Sequence, residues 1–143
     1  MAAFRALLEG LGLAGVRTLL NSGNAVFRSP GRSADRHARA VHAALLAGLG
    51  LDVRVVVVSQ ADFGRVVEQN PLAPADAEHP RLLVAFAQEP AAVQGLSVLA
   101  PLVAPGERFA VGPYAAYLLC AGGILESRAA AALLGTAGRL VTT

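Results

Sequence analysis

Two segment pairs that each fold back at a turn constrain this chain more than anything else in it. Val16–Leu20 and Ala25–Arg28 flank Asn21-Ser22-Gly23-Asn24, and Arg108–Val111 and Tyr114–Leu119 flank Gly112-Pro113. Gly and Asn tolerate positive φ, so the first turn carries its own mechanism for a tight reversal. Antiparallel hairpins beside stretches of helical spacing exclude both an all-helical bundle and a parallel doubly wound sheet. They leave an α+β fold.

The remaining elements fill in around these hairpins. Phe4, Leu7, Leu8 and Leu11 mark one helical face over residues 2–11, closed by Gly10 and Gly12. Ala38, Val41, Leu45 and Leu49 mark another over 34–49, with Ser33 as N-cap. The β-branched run Val53–Val58 predicts a strand, and Ser59 caps a short helix at 60–69. Asn70-Pro71 stops that helix, and the proline-rich stretch Leu72–Pro80 reads as a linker. Beyond it, Arg81–Ala87 predicts a strand, Pro90–Leu99 a helix with proline in its first turn, and residues 124–134 a helix after Gly122-Gly123.

The order is therefore helix, hairpin, helix, strand in the first half, and strand, helix, hairpin, helix in the second. Each half fits a βαββαβ, ferredoxin-like unit with one outer strand missing. The expectation is two such subdomains, residues 1–72 (including the connecting helix 60–69) and 73–143. Each would have a mainly antiparallel sheet with helices on one face.

Composition narrows the class further. Of 143 residues, 55% are hydrophobic and 15% charged, enough apolar surface to build a core and to leave some exposed for association. No apolar run approaches the roughly 20 residues a membrane span needs, and no secretory signal opens the chain. The lone Cys120 fits a reducing compartment, so the expected location is the cytoplasm. All twelve basic residues are arginine, which reads as the codon bias of a GC-rich genome. Residues 1–39 hold six arginines against Glu9 and Asp35, a local charge of +4; the rest carries −2.

The stretch Val16-Arg17-Thr18-Leu19-Leu20-Asn21-Ser22-Gly23-Asn24-Ala25-Val26-Phe27 resembles bacterial domain of unknown function family 1697. That family runs from V-R-T and a hydrophobic pair into Q-S-G-N-V-V-F. Asn70-Pro71 matches its N-P, and Glu107–Gly112 with Tyr117-Leu118 its second hairpin. Gly123-Ile124 and Ser127-Arg128 match its G-I-G-x-S-K segment. The resemblance implies a duplicated ferredoxin-like fold and no known activity. Asn21 stands for the family's Gln, Leu125 for its second Gly, Glu126 for a commonly basic residue and Arg128 for its Lys. The family opens with a strand and an R-G-I-N-V-G-G loop ahead of the first helix and continues into W-N-T-V, so this chain reads as trimmed at both ends. Without the opening strand, neighbouring strands have open edges, so either another segment or another copy of the chain fills the gap or the protein begins upstream; the expectation is a homodimer through those edges.

Three places could hold an anion. The turn Ser22-Gly23-Asn24 offers backbone N–H groups and short polar side chains, with Arg17, Arg28 and Arg32 nearby in sequence. Arg32, Arg36 and Arg39, spaced four and three apart, share a helix face that could meet phosphates. Gly122-Gly123 followed by Ser127 and Arg128 could seat a phosphate at a helix start. Ordinary turn chemistry, a solvated helix face and a strand-to-helix connection explain the same residues. His37, His42 and His79 lack metal-ligand spacing, and Cys120 reads as a buried apolar group. No catalytic residue, metal or cofactor is assigned. The favoured reading is a non-enzymatic binding module for an anion or nucleic acid. The alternative is a small enzyme acting on a phosphorylated or carboxylated metabolite between the two halves.

Overall fold

In the computed structural model, residues 1–19, 23–31, 33–72 and 74–135 are described. They form an α+β fold with two small antiparallel sheets. The chain divides into two compact units, Met1–Val57 and Val58–Thr143.

The first unit begins with α1 (Ala2–Gly10), followed by β1 (Ala14–Leu19), β2 (Asn24–Arg28) and α2 (Ala34–Leu49). Ser33 caps α2 by accepting from the Arg36 N–H, and Gly50 ends it in the left-handed region at φ 64°. β1 and β2 pair with Arg17 opposite Val26 and Leu19 opposite Asn24. The register slips between Ala14 and Arg17, where Gly15 has φ +61°. A positive φ inside a strand suits glycine and produces a bulge there. Leu8 of α1, Val16 of β1, and Val41 and Leu45 of α2 form one buried cluster. Ala25, Phe27 and Val55 pack on it. Both helices therefore cover the inner face of the hairpin.

Val53–Val58, expected as a strand, belongs to no ladder among the described residues. High β-propensity alone does not make a strand; a neighbouring backbone must accept the hydrogen bonds. β2 pairs with β1 on one edge, and no third strand joins this sheet among the described residues.

The second unit contains α3 (Gln60–Glu68), β3 (Leu82–Phe86), α4 (Pro90–Gly95), β4 (Arg108–Val111), β5 (Ala115–Leu119) and α5 (Arg128–Leu134). The strand order is β3-β5-β4, with both pairings antiparallel. β5 lies between two neighbours, and all five of its residues are buried. Ala116 packs with Leu96, Leu99 and Leu133, and Leu118 with Cys120, Ala129 and Ala130. On the other face Ala115, Tyr117 and Leu119 pack with Val66 and Leu72. The expectation of helices on one face holds for α5 and the turn at 96–102; α3 adds cover opposite. Tyr117 donates to the Val66 carbonyl across 2.8 Å. A Cβ on Gly112 would stand 3.2 Å from both the Ala115 carbonyl oxygen and the Tyr117 ring, so a side chain there would need both to give by a few tenths of an ångström.

Three boundaries differ from the sequence reading. The linker at 72–80 contains a 3-10 turn over Asp76–Arg81, in which the Glu78 carboxylate accepts from the Ala75 N–H at 3.0 Å. The helix expected over 90–99 stops at Gly95 and continues as a 3-10 turn over Leu96–Leu102, with Pro101 inside it. The helix expected from residue 124 starts at Arg128. A 3-10 turn over Ile124–Glu126 precedes it, and Ser127 caps it by accepting from the Ala130 N–H at 3.1 Å.

Candidate functional site

Strand alternation sorts the first hairpin into two faces. Val16, Ala25 and Phe27 point to the helices, and His37 meets the Phe27 ring edge-on at 5.4 Å between centroids. Arg17, Leu19, Val26 and Arg28 point the other way, and all four are exposed. Arg17 stands opposite Val26, and Arg28 is two residues further along β2 on the same face. Such diagonal neighbours are about 7–8 Å apart. The Gly15 bulge shapes this face too, since a Cβ at Gly15 would touch the Arg28 Cδ at 4.0 Å. Neither arginine has an ion-pair partner among the described residues. Two guanidinium groups therefore flank a small apolar strip of Leu19 and Val26.

The sequence-derived candidates divide over this geometry. Arg17 lies on the outer hairpin face. Ser22 and Arg32 lie outside the described residues, as does Asn21. Gly23 closes the turn at φ +82°, and the exposed Asn24 opens β2. Arg36 and Arg39 sit on the solvent side of α2, opposite its buried His37, Ala38, Val41 and Leu45. The hairpin packs on that buried side, so Arg17 is on one face of the unit and Arg36 and Arg39 on the other. Arg39 is also neutralised by Asp35 one turn away, at 2.5 Å. Arg28, adjacent to the turn in sequence, is the residue that joins Arg17. Only the register could show this, since it decides which side chains share a face.

Ser127 and Arg128 belong to the second unit. Ser127 is buried, its hydroxyl capping α5 and hydrogen-bonding the Cys120 thiol. Gly122-Gly123 is separated from α5 by the 3-10 turn, and the Glu126 side chain lies 3.7 Å from where a Gly122 Cβ would be. This α-helix is seven residues long. Its first turn therefore serves the fold. Burial raises the Cys120 thiol pKa above its usual range; the Ser127 hydrogen bond opposes this and the Glu107 charge adds to it. Such a thiol is a poor nucleophile at neutral pH.

Arg81 and Arg108 converge on Glu78 at one end of the second sheet, at 3.9 and 3.7 Å. Arg81 donates to the Ala121 carbonyl at 2.7 Å and Arg108 to the Leu72 carbonyl at 3.0 Å. These arginines tie loops to strand ends. His42 faces Asp52 across 3.2 Å. No group of three or more His, Cys, Asp or Glu that could hold a metal occurs among the described residues.

The family described as "Protein of unknown function (DUF1697)" matches residues 1–117. The chain belongs to that family. No curated protein and no solved structure matches this DUF1697 protein. The family's description assigns it no activity. The matched span includes the whole first unit and most of β5, so it covers both hairpins. No helix among the described residues is long and apolar enough to cross a membrane.

Proposed function

We propose that this DUF1697 protein is a cytoplasmic, non-enzymatic binding module of two ferredoxin-like halves that takes up an anion or nucleic-acid phosphates on its first hairpin. The observation that carries the reading is the Arg17–Arg28 pair, exposed, on one sheet face and without an ion-pair partner among the described residues. Charge distribution supports it. The first unit has seven arginines against Glu9, Asp35 and Asp52, a net +4, and the second has five against seven acids, a net −2. The β3-β5-β4 order supports the ferredoxin-like assignment, since it is that of a βαββαβ unit lacking its last strand. The outer hairpin face has no aromatic residue on which a base could stack, so phosphate contacts rather than base recognition would supply the affinity. We further propose that copies associate through open strand edges.

The test is salt-dependent binding to single-stranded RNA and to phosphate compounds. Changing Arg17 and Arg28 together to Ala should lower the slope of log affinity against log salt by about 1.4, roughly 0.7 per lost contact. The Arg36→Ala, Arg39→Ala double variant should bind as the unaltered protein does. Equal loss in both double variants would disprove the outer hairpin face as the site.

A further inference from the structure

Of the five phenylalanines and two tyrosines in this chain, Phe63, Phe86 and Tyr114 gather at one end of the second sheet. Phe86 is the last residue of β3 and stands opposite Ala115, which Tyr114 precedes in the chain. Phe63 of α3 stacks on Phe86, with ring centroids 6.0 Å apart and planes 14° from parallel. That is the offset stack aromatic pairs prefer. A ring seated this way has one face covered by its neighbour. Phe63 nevertheless keeps 52% of its surface accessible, so its other face is turned to solvent. Val67, one turn further along the same side of α3, is 63% exposed and widens that face.

The exposed ring is held from beneath and from its own helix. Phe86 packs on the buried cluster that contains Val66, Leu72 and Tyr117. Ser59 caps α3, and its hydroxyl donates to Asp62 at 2.7 Å. Asp62 also accepts from Arg65 at 2.8 Å, and the Arg65 guanidinium lies over the Tyr114 ring at 5.6 Å. A side chain already fixed by a stack has little rotamer freedom left to lose when a second ring lands on it.

We infer that the open face of Phe63 takes a neutral planar ring, that of a nucleobase or nucleoside, by stacking. This site is separate from the Arg17–Arg28 face and does not depend on it. Two observations select its occupant. The open apolar surface here is that of two side chains, Phe63 and Val67, whereas a stable protein interface takes about 800 Å² from each partner. A single ring matches it. Arg65, the cation on this helix, is engaged by Asp62 and Tyr114, and the second unit carries a net −2, so the surroundings favour a neutral ring over a phosphate. Every base has a π-face, so stacking of this kind tolerates any base and favours the larger purines.

Saturation-transfer NMR and titration with adenosine test this. Adenosine should bind with a Kd on the order of 1 mM, and uridine more weakly. The affinity should not change between about 50 and 200 mM salt, and AMP should bind no tighter than adenosine, because no phosphate contact is made. Phe63→Ala should weaken binding at least about fivefold. Phe63→Leu, which keeps an apolar side chain without a ring, should weaken it comparably, and Phe63→Tyr should retain it. Circular dichroism confirms that each variant is folded. No binding of adenosine up to about 10 mM would overturn the site. Binding that Phe63→Leu retains in full would overturn stacking as its basis. Binding of AMP alone, falling with salt, would overturn the neutral ring as its ligand. Self-association that Phe63→Ala abolishes, without adenosine binding, would give this face to a second copy of the chain and overturn the inference.

Discussion

The two units use similar sequences of elements to different effect. In the second, β5 has a neighbour on each edge and cover on each face, and its five residues are fully buried. In the first, β1 and β2 make a two-stranded sheet, the outer face is exposed, and a valine segment with strand composition belongs to no ladder among the described residues. A central strand satisfies its backbone twice and buries alternate side chains in two directions. In the first unit Leu46, Leu49, Leu51 and Val53 remain exposed.

The contrast can be sharpened by substitution. Leu133→Ala empties a fully buried site between α5 and the second sheet and should cost about 2–5 kcal/mol in thermal or urea denaturation. Leu46→Ala, a similar truncation on the half-exposed rim of the first unit, should stay within about 0.5 kcal/mol. Equal costs would break the comparison.

A smaller effect is expected at Tyr117, whose hydroxyl satisfies the Val66 carbonyl. Tyr117→Phe strands that carbonyl and should cost about 1–3 kcal/mol. The tyrosine also confers a pH dependence. Burial raises its pKa above 10.0, and that of Cys120 above 9.0. Below those values both groups keep their protons in the folded and unfolded states, and stability is unaffected. As pH rises through them the unfolded chain ionises first, so stability should fall in alkali. Tyr117→Phe should lessen that fall.

Much of this was legible in the sequence. The turn at Asn21–Asn24, the Ser33 and Ser59 caps, and the spacing of Ala38, Val41 and Leu45 are local signals, and each produced the element it implied where the residues are described. Val53–Val58 misled because strand formation depends on a partner that composition does not reveal. The proline-rich stretch 72–80 read as a linker, and local tightening of its chain into a 3-10 turn over Asp76–Arg81 left no periodic signal; the apolar spacing over 96–99 did not separate an α-helix from the 3-10 turn found there. At the candidate site, Arg17 was legible as one of several arginines near a turn. Its neighbour on the face, Arg28, depended on register, and the separation of Arg36 and Arg39 depended on which side of α2 the core claims.

The central claim is that the second unit has a strand paired on both edges, whereas Val53–Val58 belongs to no ladder among the described residues. Residue-resolved hydrogen exchange on dilute protein tests it most directly. The Arg54 and Val56 amides should exchange at nearly the rate of unstructured peptide, while those of Ala116 to Leu119 exchange only through opening of the second unit. Strong protection at Arg54 and Val56, independent of protein concentration, would contradict the account.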